Sequence, residues 1–151
     1  QLLKTMRDRG LVLGIGTGRP YLETEVPLKV LGFWPYFHSG HIATASDVVR
    51  AEAEFPDRAP LGKPQPFTYL KALLGQSQAN ETVLEAPVPL ANGEEVLIVG
   101  DSVADFMAAR AMGCQFAATL TGLSGQKARN KFVELGADYI CDDILGLAEV
   151  F

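Results

Sequence analysis

Two aspartates that are separated by three residues follow an apolar segment in the second half of the chain. The segment Val96–Val99 has no polar alternation, which is typical of a central parallel strand covered on both faces, and Gly100 then allows a sharp turn into a helical pattern. Ligands of open parallel sheets bind beyond the carboxyl ends of the strands. Asp101 and Asp105 therefore lie where a binding site is expected.

Carboxylates at this position suit a divalent cation. Mg²⁺ takes one or two protein carboxylates and completes its octahedron with water and phosphate oxygens. Asp101 fits a direct ligand, and Asp105 either reaches the same ion or orients Asp101 and a bound water. Helix capping is the structural alternative, because one aspartate can cap a helix and a second can interact with its dipole. Ser102 is available as the cap instead, which would leave Asp101 for the metal.

A second candidate site follows another apolar segment, where the sequence is GIGTGRP. Thr17, Gly18 and Arg19 lie there between a predicted strand and a predicted helix. Backbone amides at a helix start, together with a hydroxyl, bind a phosphate oxygen well, and Arg19 is placed to steer an anionic substrate. A tight turn without a ligand and a solvated arginine are the structural alternatives.

Lys63 is the third candidate, in the segment GKPQP ahead of a predicted helix. A single lysine is usually a solvated surface residue. The prolines on either side of this one indicate that its backbone is held in place. A rigid ammonium is suited to stabilise the charge that develops on a transferring phosphoryl group.

Alternating strand and helix patterns position these residues. Strands alternating with helices of ten or more residues predict an α/β domain with a doubly wound parallel sheet. The predicted helices cover 1–9, 20–31, 66–75, the residues from 103 on, 126–135 and a final turn; the predicted strands cover 11–17, a weak segment in 37–48, 96–99, 115–122 and 139–144. Residues 50–62 resemble a loop, and residues 76–95 a surface hairpin or loop that ends in an Asn-Gly turn.

Composition limits the function classes. The chain has 151 residues, 48% of them hydrophobic, and a net charge of −5 without a Lys/Arg block, which argues against nucleic acid as a partner. No apolar run approaches the roughly 18 residues of a membrane span. Cys114 and Cys141 lie in or beside apolar segments without metal-ligand spacing. Free buried thiols of a reducing cytoplasm are the favoured interpretation, and a single disulfide remains open.

The three segments together resemble the haloacid dehalogenase (HAD) superfamily of phosphohydrolases, in its phosphoglycolate-phosphatase-like branch. LVLGIGTGRP is similar to its second motif, GKPQP to its third, and VLIVGDSVADFMAARAMG to its fourth. The resemblance implies a three-layer, Rossmann-like sheet and a Mg²⁺-dependent phosphatase that acts on a small phosphorylated metabolite. Thr17 would then hydrogen-bond the transferring phosphoryl group, Lys63 would stabilise its charge, and Asp101 with Asp105 would bind Mg²⁺.

The first motif of the superfamily, Asp-x-Asp at the end of a strand, is absent from the sequence. Its first aspartate is the nucleophile that forms an aspartyl-phosphate. We therefore expect residues 1–151 to be a partial core domain, the C-terminal part of a longer hydrolase without the nucleophile strand and the cap, and to be inactive alone. The missing strand would lie between the strand of Thr17 and the strand of Asp101. Upstream residues, a neighbouring chain (a homodimer or strand exchange) or rearranged pairing would have to fill that position.

Three other classes remain as alternatives. A nucleotide- or S-adenosylmethionine-binding Rossmann-type enzyme needs an acidic residue about 20 positions after the glycine-rich turn. Phe37 and His38 lie there, and the first later acid is Asp47. A receiver-type phosphoacceptor domain has its acidic pair before the lysine, whereas Lys63 precedes Asp101 here. The non-enzyme alternative is a HAD-fold binding protein that has lost its chemistry.

Overall fold

The computed structural model describes residues 1–150, which divide into two compact units, residues 1–86 and 87–150. Each unit contains a parallel sheet with helices packed against it. The predicted α/β class with parallel sheets is therefore confirmed. The expectation of one partial core domain over residues 1–151 stays a prediction.

The N-terminal unit has a two-stranded parallel sheet and five α-helices. In the sheet Ile15 pairs with Ile42 and Gly16 with Ala43. The elements are α1 (Leu2–Asp8), β1 (Ile15–Gly16), α2 (Tyr21–Val30), β2 (Ile42–Ala43), α3 (Ala45–Glu54), α4 (Phe67–Leu74) and α5 (Asn80–Leu84). Helix α4 packs on both strands and buries Phe67 and Leu70, so it forms the centre of this unit.

Helix α3 occupies part of a segment for which the sequence predicted a loop. It begins with a capping box in which Asp47 Oδ2 accepts from the Thr44 amide at 2.8 Å and from the Thr44 hydroxyl at 3.1 Å. Ala51 is fully buried one turn further along, and the helix ends at Glu54. The prediction for residues 50–54 was wrong because the cap at Thr44 and the buried face of the helix outweigh the local charge pattern.

The C-terminal unit has a three-stranded parallel sheet in the order β3-β4-β5. Leu97 pairs with Gln115 in the first pair of strands, and Ala117 with Tyr139 in the second. The elements are β3 (Leu97–Gly100), α6 (Val103–Ala111), β4 (Gln115–Thr119), α7 (Arg129–Leu135) and β5 (Tyr139–Cys141), followed by a 3₁₀ segment over Ile144–Glu149. Each predicted strand and helix of this part is present; β4, α7 and β5 are shorter than predicted, and β3 is shifted by one residue.

The central strand of this sheet is β4, not β3. Phe116, Ala117 and Ala118 of β4 are completely buried, whereas β3 lies at the edge and its Val99 is 36% exposed. Within residues 1–150 the apolar segment 96–99 thus forms an edge strand, and a central position for it requires a further strand beside β3. Within residues 1–150, β3 pairs only with β4, and β1 only with β2. Both strands that precede candidate site residues thus have an open edge, as expected if a neighbouring strand is missing.

Two other predicted features differ in detail. Residues 76–95 form no hairpin; they contain α5 and a 3₁₀ turn at Gly93–Glu95. The predicted strand 11–17 is reduced to Ile15–Gly16, because these are its residues that pair with β2. None of the helices formed by residues 1–150 combines the length and apolar composition that a bilayer span requires.

The two cysteines are free thiols, and both are buried in the C-terminal unit. Burial raises the pKa of the Cys114 thiol, so this residue stays protonated and packs as a small apolar side chain. The favoured interpretation of free buried thiols is confirmed.

Lys71 gives a test of the N-terminal unit. It is 5% exposed, and its ammonium donates to the carbonyls of Gln76 (3.3 Å) and Gln78, which follow α4. We expect Lys71→Met to lower the free energy of unfolding by about 1–3 kcal/mol, because the two charge-assisted hydrogen bonds that join the end of α4 to the following loop are lost. Lys4→Met is the matched control, since Lys4 is 66% exposed in its ion pair and should change stability by less than about 0.5 kcal/mol. Equal urea midpoints for the two variants would contradict the role of Lys71.

Asp138 gives a test of the C-terminal unit by pH. Burial alone would raise the pKa of its carboxyl, but the Phe116 amide (2.7 Å) and the Arg110 guanidinium (2.8 Å) outweigh burial and lower that pKa below its ordinary value. A lowered folded-state pKa adds stability above the unfolded-state pKa, and this stability is lost as pH falls through the folded-state value. The parent protein should lose stability as the pH falls below about 5. We expect Asp138→Asn to lose less stability over the same pH range, because it has no carboxylate to protonate at this position. Urea unfolding from pH 7 to pH 3 measures this, with the exposed Asp57→Asn variant as control.

Candidate active site

The turn between β1 and α2 holds the predicted phosphate-binding residues. The Thr17 amide donates to the Ala43 carbonyl at 3.0 Å, which fixes the end of β1. The Thr17 hydroxyl oxygen accepts from the Arg19 amide at 3.2 Å, and this bond closes the turn. The hydroxyl hydrogen can still be donated outward. The structure thus places Thr17 at the strand end, as predicted.

Gly18 and Arg19 are the exposed part of this turn. The Gly18 amide makes no hydrogen bond within residues 1–150, and a Cβ at this position would meet nothing within 4 Å. The Arg19 guanidinium pairs with Glu23 at 3.8 Å, and both side chains are largely exposed. The first amide of α2, that of Tyr21, donates to the Ser46 hydroxyl at 3.2 Å. The donors left for an anion are therefore those of the turn rather than the first amide of the helix.

Lys63 lies at the same strand end. Its ammonium donates to the Gly16 carbonyl at 3.4 Å and to the Tyr69 hydroxyl at 3.3 Å, and it lies 4.9 Å from the centre of the Tyr69 ring. Lys63 is half-buried, so the alternative of a solvated surface lysine does not describe it. The N-terminal unit therefore brings Lys63 next to the residue that precedes Thr17.

Tyr69 and Gly16 are part of this arrangement, and the sequence analysis did not select either residue. A Cβ on Gly16 would lie 2.5 Å from the Tyr69 ring carbon Cδ1, so only glycine allows the ring to approach the strand this closely. The contact joins residues that are far apart in sequence, and the helical pattern of residues 66–75 gave no indication of it. In the local sequence, only the glycine at the end of β1 indicated that another group packs closely against this strand.

The two candidate metal ligands have different environments in the C-terminal unit. Ser102 caps α6, since its hydroxyl oxygen accepts from the Asp105 amide at 3.2 Å. Asp105 Oδ2 accepts in return from the Ser102 amide (3.2 Å) and hydroxyl (2.7 Å), and Asp105 is only 4% exposed. Asp101 is exposed and makes no hydrogen bond or ion pair within residues 1–150. Ser102 is therefore the cap, and the Asp101 carboxylate is available to a ligand.

Two glycines allow close packing around these carboxylates. A Cβ on Gly100 would lie 2.6 Å from Asp105 Cβ, and a Cβ on Gly122 would lie 2.4 Å from Asp101 Oδ2. Gly122 lies in the loop after β4, which thus passes directly beside Asp101. The sequence analysis did not select Gly122, because this contact also joins distant parts of the chain.

The donors in this unit fit a hard cation. Residues 1–150 contain no group of three His, Cys, Asp or Glu side chains that could hold a metal ion between them. Mg²⁺ does not need such a group, because water and phosphate oxygens complete its coordination around one or two carboxylates. The exposed Asp101 carboxylate has the chemistry for this type of site.

Gly122→Ala tests the packing around Asp101. The added methyl would overlap Asp101 Oδ2 at 2.4 Å and Asp101 Cβ at 2.8 Å, so rotation of the carboxylate alone does not remove the overlap. We expect a loss of about 1–3 kcal/mol in the free energy of unfolding. Gly62→Ala is the control, since a Cβ at Gly62 meets nothing within 4 Å. If urea unfolding gives the same stability for both variants, the described approach of Gly122 to Asp101 is wrong.

Comparison with solved structures supports the fold. An X-ray structure from the Northeast Structural Genomics Consortium matches with a TM-score of 0.92 and 43% sequence identity, over 98% of this chain and 40% of that chain. A crystal structure of a HAD-superfamily hydrolase from Ehrlichia chaffeensis matches with a TM-score of 0.56 and 20% identity, over 89% of this chain and 55% of that chain. At 20% identity the second likeness shows the fold alone. The chain thus spans about half or less of the length of these relatives.

Comparison with protein families is more specific. No curated protein matches the chain. Residues 60–147 match the family model described as HAD-hydrolase-like, and this range contains Lys63, Asp101 and Asp105. On this match, which covers more than half of the sequence, the chain belongs to the HAD-hydrolase-like family of the HAD superfamily.

Proposed function

We propose that the full protein is a Mg²⁺-dependent phosphatase that hydrolyses small phosphomonoesters through an aspartyl-phosphate, and that this chain supplies its phosphate- and metal-binding groups. Membership of a hydrolase family supports the reaction class. The observation that carries the proposal is the position of Lys63, whose ammonium lies 3.4 Å from the Gly16 carbonyl, next to Thr17. A half-buried ammonium at the end of the strand that a threonine follows is an arrangement that suits a phosphate dianion.

Each residue of the turn has a separate role in this proposal. The Thr17 hydroxyl and the Gly18 amide donate hydrogen bonds to phosphate oxygens. Lys63 stabilises the charge that is spread over the phosphoryl oxygens in the transition state. Arg19 is exposed and steers the anion towards the turn, at the expense of its weak ion pair with Glu23.

Asp101 and Asp105 of the C-terminal unit have different roles in the proposed metal site. Asp101 is the direct ligand, because its carboxylate is exposed and has no partner within residues 1–150. Asp105 uses Oδ2 in the capping box, so it orients the turn that carries Asp101, and it either reaches the same ion or orients Asp101 and a bound water. When bound, Mg²⁺ neutralises charge on the phosphate oxygens.

The nucleophile is the group that residues 1–151 do not contain, since the sequence has no Asp-x-Asp. We propose that a strand with this motif comes from upstream in the same polypeptide or from a neighbouring chain, as in a homodimer or a strand exchange, and pairs with an open strand edge. Its first carboxylate attacks phosphorus and expels the alcohol, and water then cleaves the aspartyl-phosphate to return the carboxylate and inorganic phosphate. The free thiols Cys114 and Cys141 support the cytoplasm as the place of this reaction.

Ligand binding by the 151-residue chain tests the phosphate and metal sites. We expect inorganic phosphate to shift the NMR signals of Thr17, Gly18 and Lys63, and Lys63→Met to weaken its affinity at least about tenfold, because a charge-assisted bond is lost. Mg²⁺ should shift the signals around Asp101, and Asp101→Asn should abolish this effect. The exposed Asp57→Asn variant should bind Mg²⁺ as the parent does.

The same chain with Mg²⁺ and an aryl phosphate should show no turnover above background. Hydrolysis that depends on Thr17 and Lys63 would overturn the proposal that the nucleophile comes from elsewhere. The intact mass of the natural product, compared with its reading frame, tests the source of the nucleophile. An extension that includes Asp-x-Asp supports the phosphatase. Phosphate binding by a natural product without that motif would identify a binding protein of this fold instead.

A further inference from the structure

We propose that Tyr69 is a positioning residue, which holds the Lys63 ammonium in place for the phosphate. This inference rests on the proposed function, and it assigns Tyr69 a role beyond filling the interior of the N-terminal unit. The phenol acts through Lys63 and does not itself contact the substrate.

The contacts of the ammonium carry the inference. The Lys63 ammonium donates to Tyr69 Oη at 3.3 Å and to the Gly16 carbonyl at 3.4 Å, while its distance from the ring centre is 4.9 Å. The ammonium is thus nearer to the hydroxyl than to the ring centre. Lysine has a long side chain with many rotamers, and only a few of them bring the ammonium within reach of both acceptors.

The rigidity of Tyr69 makes it suitable for this role. Tyr69 lies on α4 and is 7% exposed, and its ring lies against the backbone of Gly16, where a Cβ would be 2.5 Å from ring carbon Cδ1. Its hydroxyl therefore has a fixed position relative to the end of β1. Because the ammonium donates to this fixed hydroxyl, the Lys63 side chain is already restricted before phosphate binds. Lys63 therefore loses less conformational freedom on binding.

A residue that only packs in the interior would not need the hydroxyl. Phenylalanine has the same ring and would keep the contact with Gly16. Tyr69→Phe therefore removes the acceptor alone, and Tyr69→Leu removes both the acceptor and the ring. A packing role predicts a large effect only for Tyr69→Leu, whereas a positioning role predicts an effect on Lys63 already for Tyr69→Phe.

The first measurement is the mobility of the Lys63 side chain in the 151-residue protein, from NMR relaxation of its Cε methylene. We expect Lys63 to be more ordered than Lys127, an exposed lysine. Tyr69→Phe should raise the mobility of Lys63 towards that of Lys127 with little change in thermal stability. Tyr139→Phe, which removes a hydroxyl in the other unit, should leave Lys63 unchanged.

The second measurement is the affinity for inorganic phosphate in a double-mutant cycle. We expect Tyr69→Phe to weaken binding about three- to tenfold in the parent protein and to have no effect when Lys63 is replaced by Met. This non-additivity shows that Tyr69 acts through Lys63, which a structural role alone would not produce.

The outcomes separate this inference from the proposed function. Equal mobility of Lys63 and Lys127 in the parent protein would overturn the positioning role, and this result needs no variant to fold. An unchanged Lys63 in Tyr69→Phe, or an equal loss of phosphate affinity in the Lys63→Met background, would overturn it as well. If the parent protein binds no phosphate, the proposed function fails, while the relaxation data still decide whether Tyr69 orders Lys63.

Discussion

The close packing of side chains against the backbone at the ends of two strands is the constraint on which the candidate site depends. In the N-terminal unit, Gly16 leaves room for the Tyr69 ring, whose hydroxyl contacts the Lys63 ammonium. In the C-terminal unit, Gly100 leaves room for Asp105, so the first turn of α6 can fold back on the strand end. A Cβ at either glycine would come within 2.6 Å of these groups and displace them. The chemistry of each unit therefore depends on a residue that has no functional group.

The local parts of this arrangement could be predicted from the sequence, and the non-local parts could not. Ser102 was recognised as a possible cap because capping joins residues three apart, and the same pattern at Thr44 and Asp47 was readable although it was overlooked. Tyr69 and Gly122 were missed because their contacts depend on how α4 and the loop after β4 pack. Their neighbours in the sequence carry no sign of that packing.

The order of the strands in the sheet could not be predicted from the local sequence pattern either. An apolar run predicts burial, and Val96–Val99 has a more continuous apolar character than the alanine-containing β4. Within residues 1–150 β4 nevertheless has neighbours on both sides, and its small side chains Ala117 and Ala118 are completely buried. The apolar character of β3 reflects a requirement for burial that its pairing with β4 does not meet.

A pairing strand would both cover the exposed apolar side chains at a sheet edge and supply the missing nucleophile. Val99 on β3 is 36% exposed, and Leu11 and Val12, which precede β1, are 37% and 69% exposed. A strand edge with unpaired amides and apolar side chains is unfavourable in water and pairs readily with another strand. In the HAD-superfamily resemblance the absent Asp-x-Asp ends a strand that would pair with such an edge, and a 43%-identical relative has 40% of its own length covered by this chain. In the proposed function, a strand with Asp-x-Asp pairs with one of these edges. It would bury the apolar side chains of that edge and bring a carboxylate to the end of the strand with which it pairs, so the stability of that sheet edge and the proposed catalysis depend on the same contact.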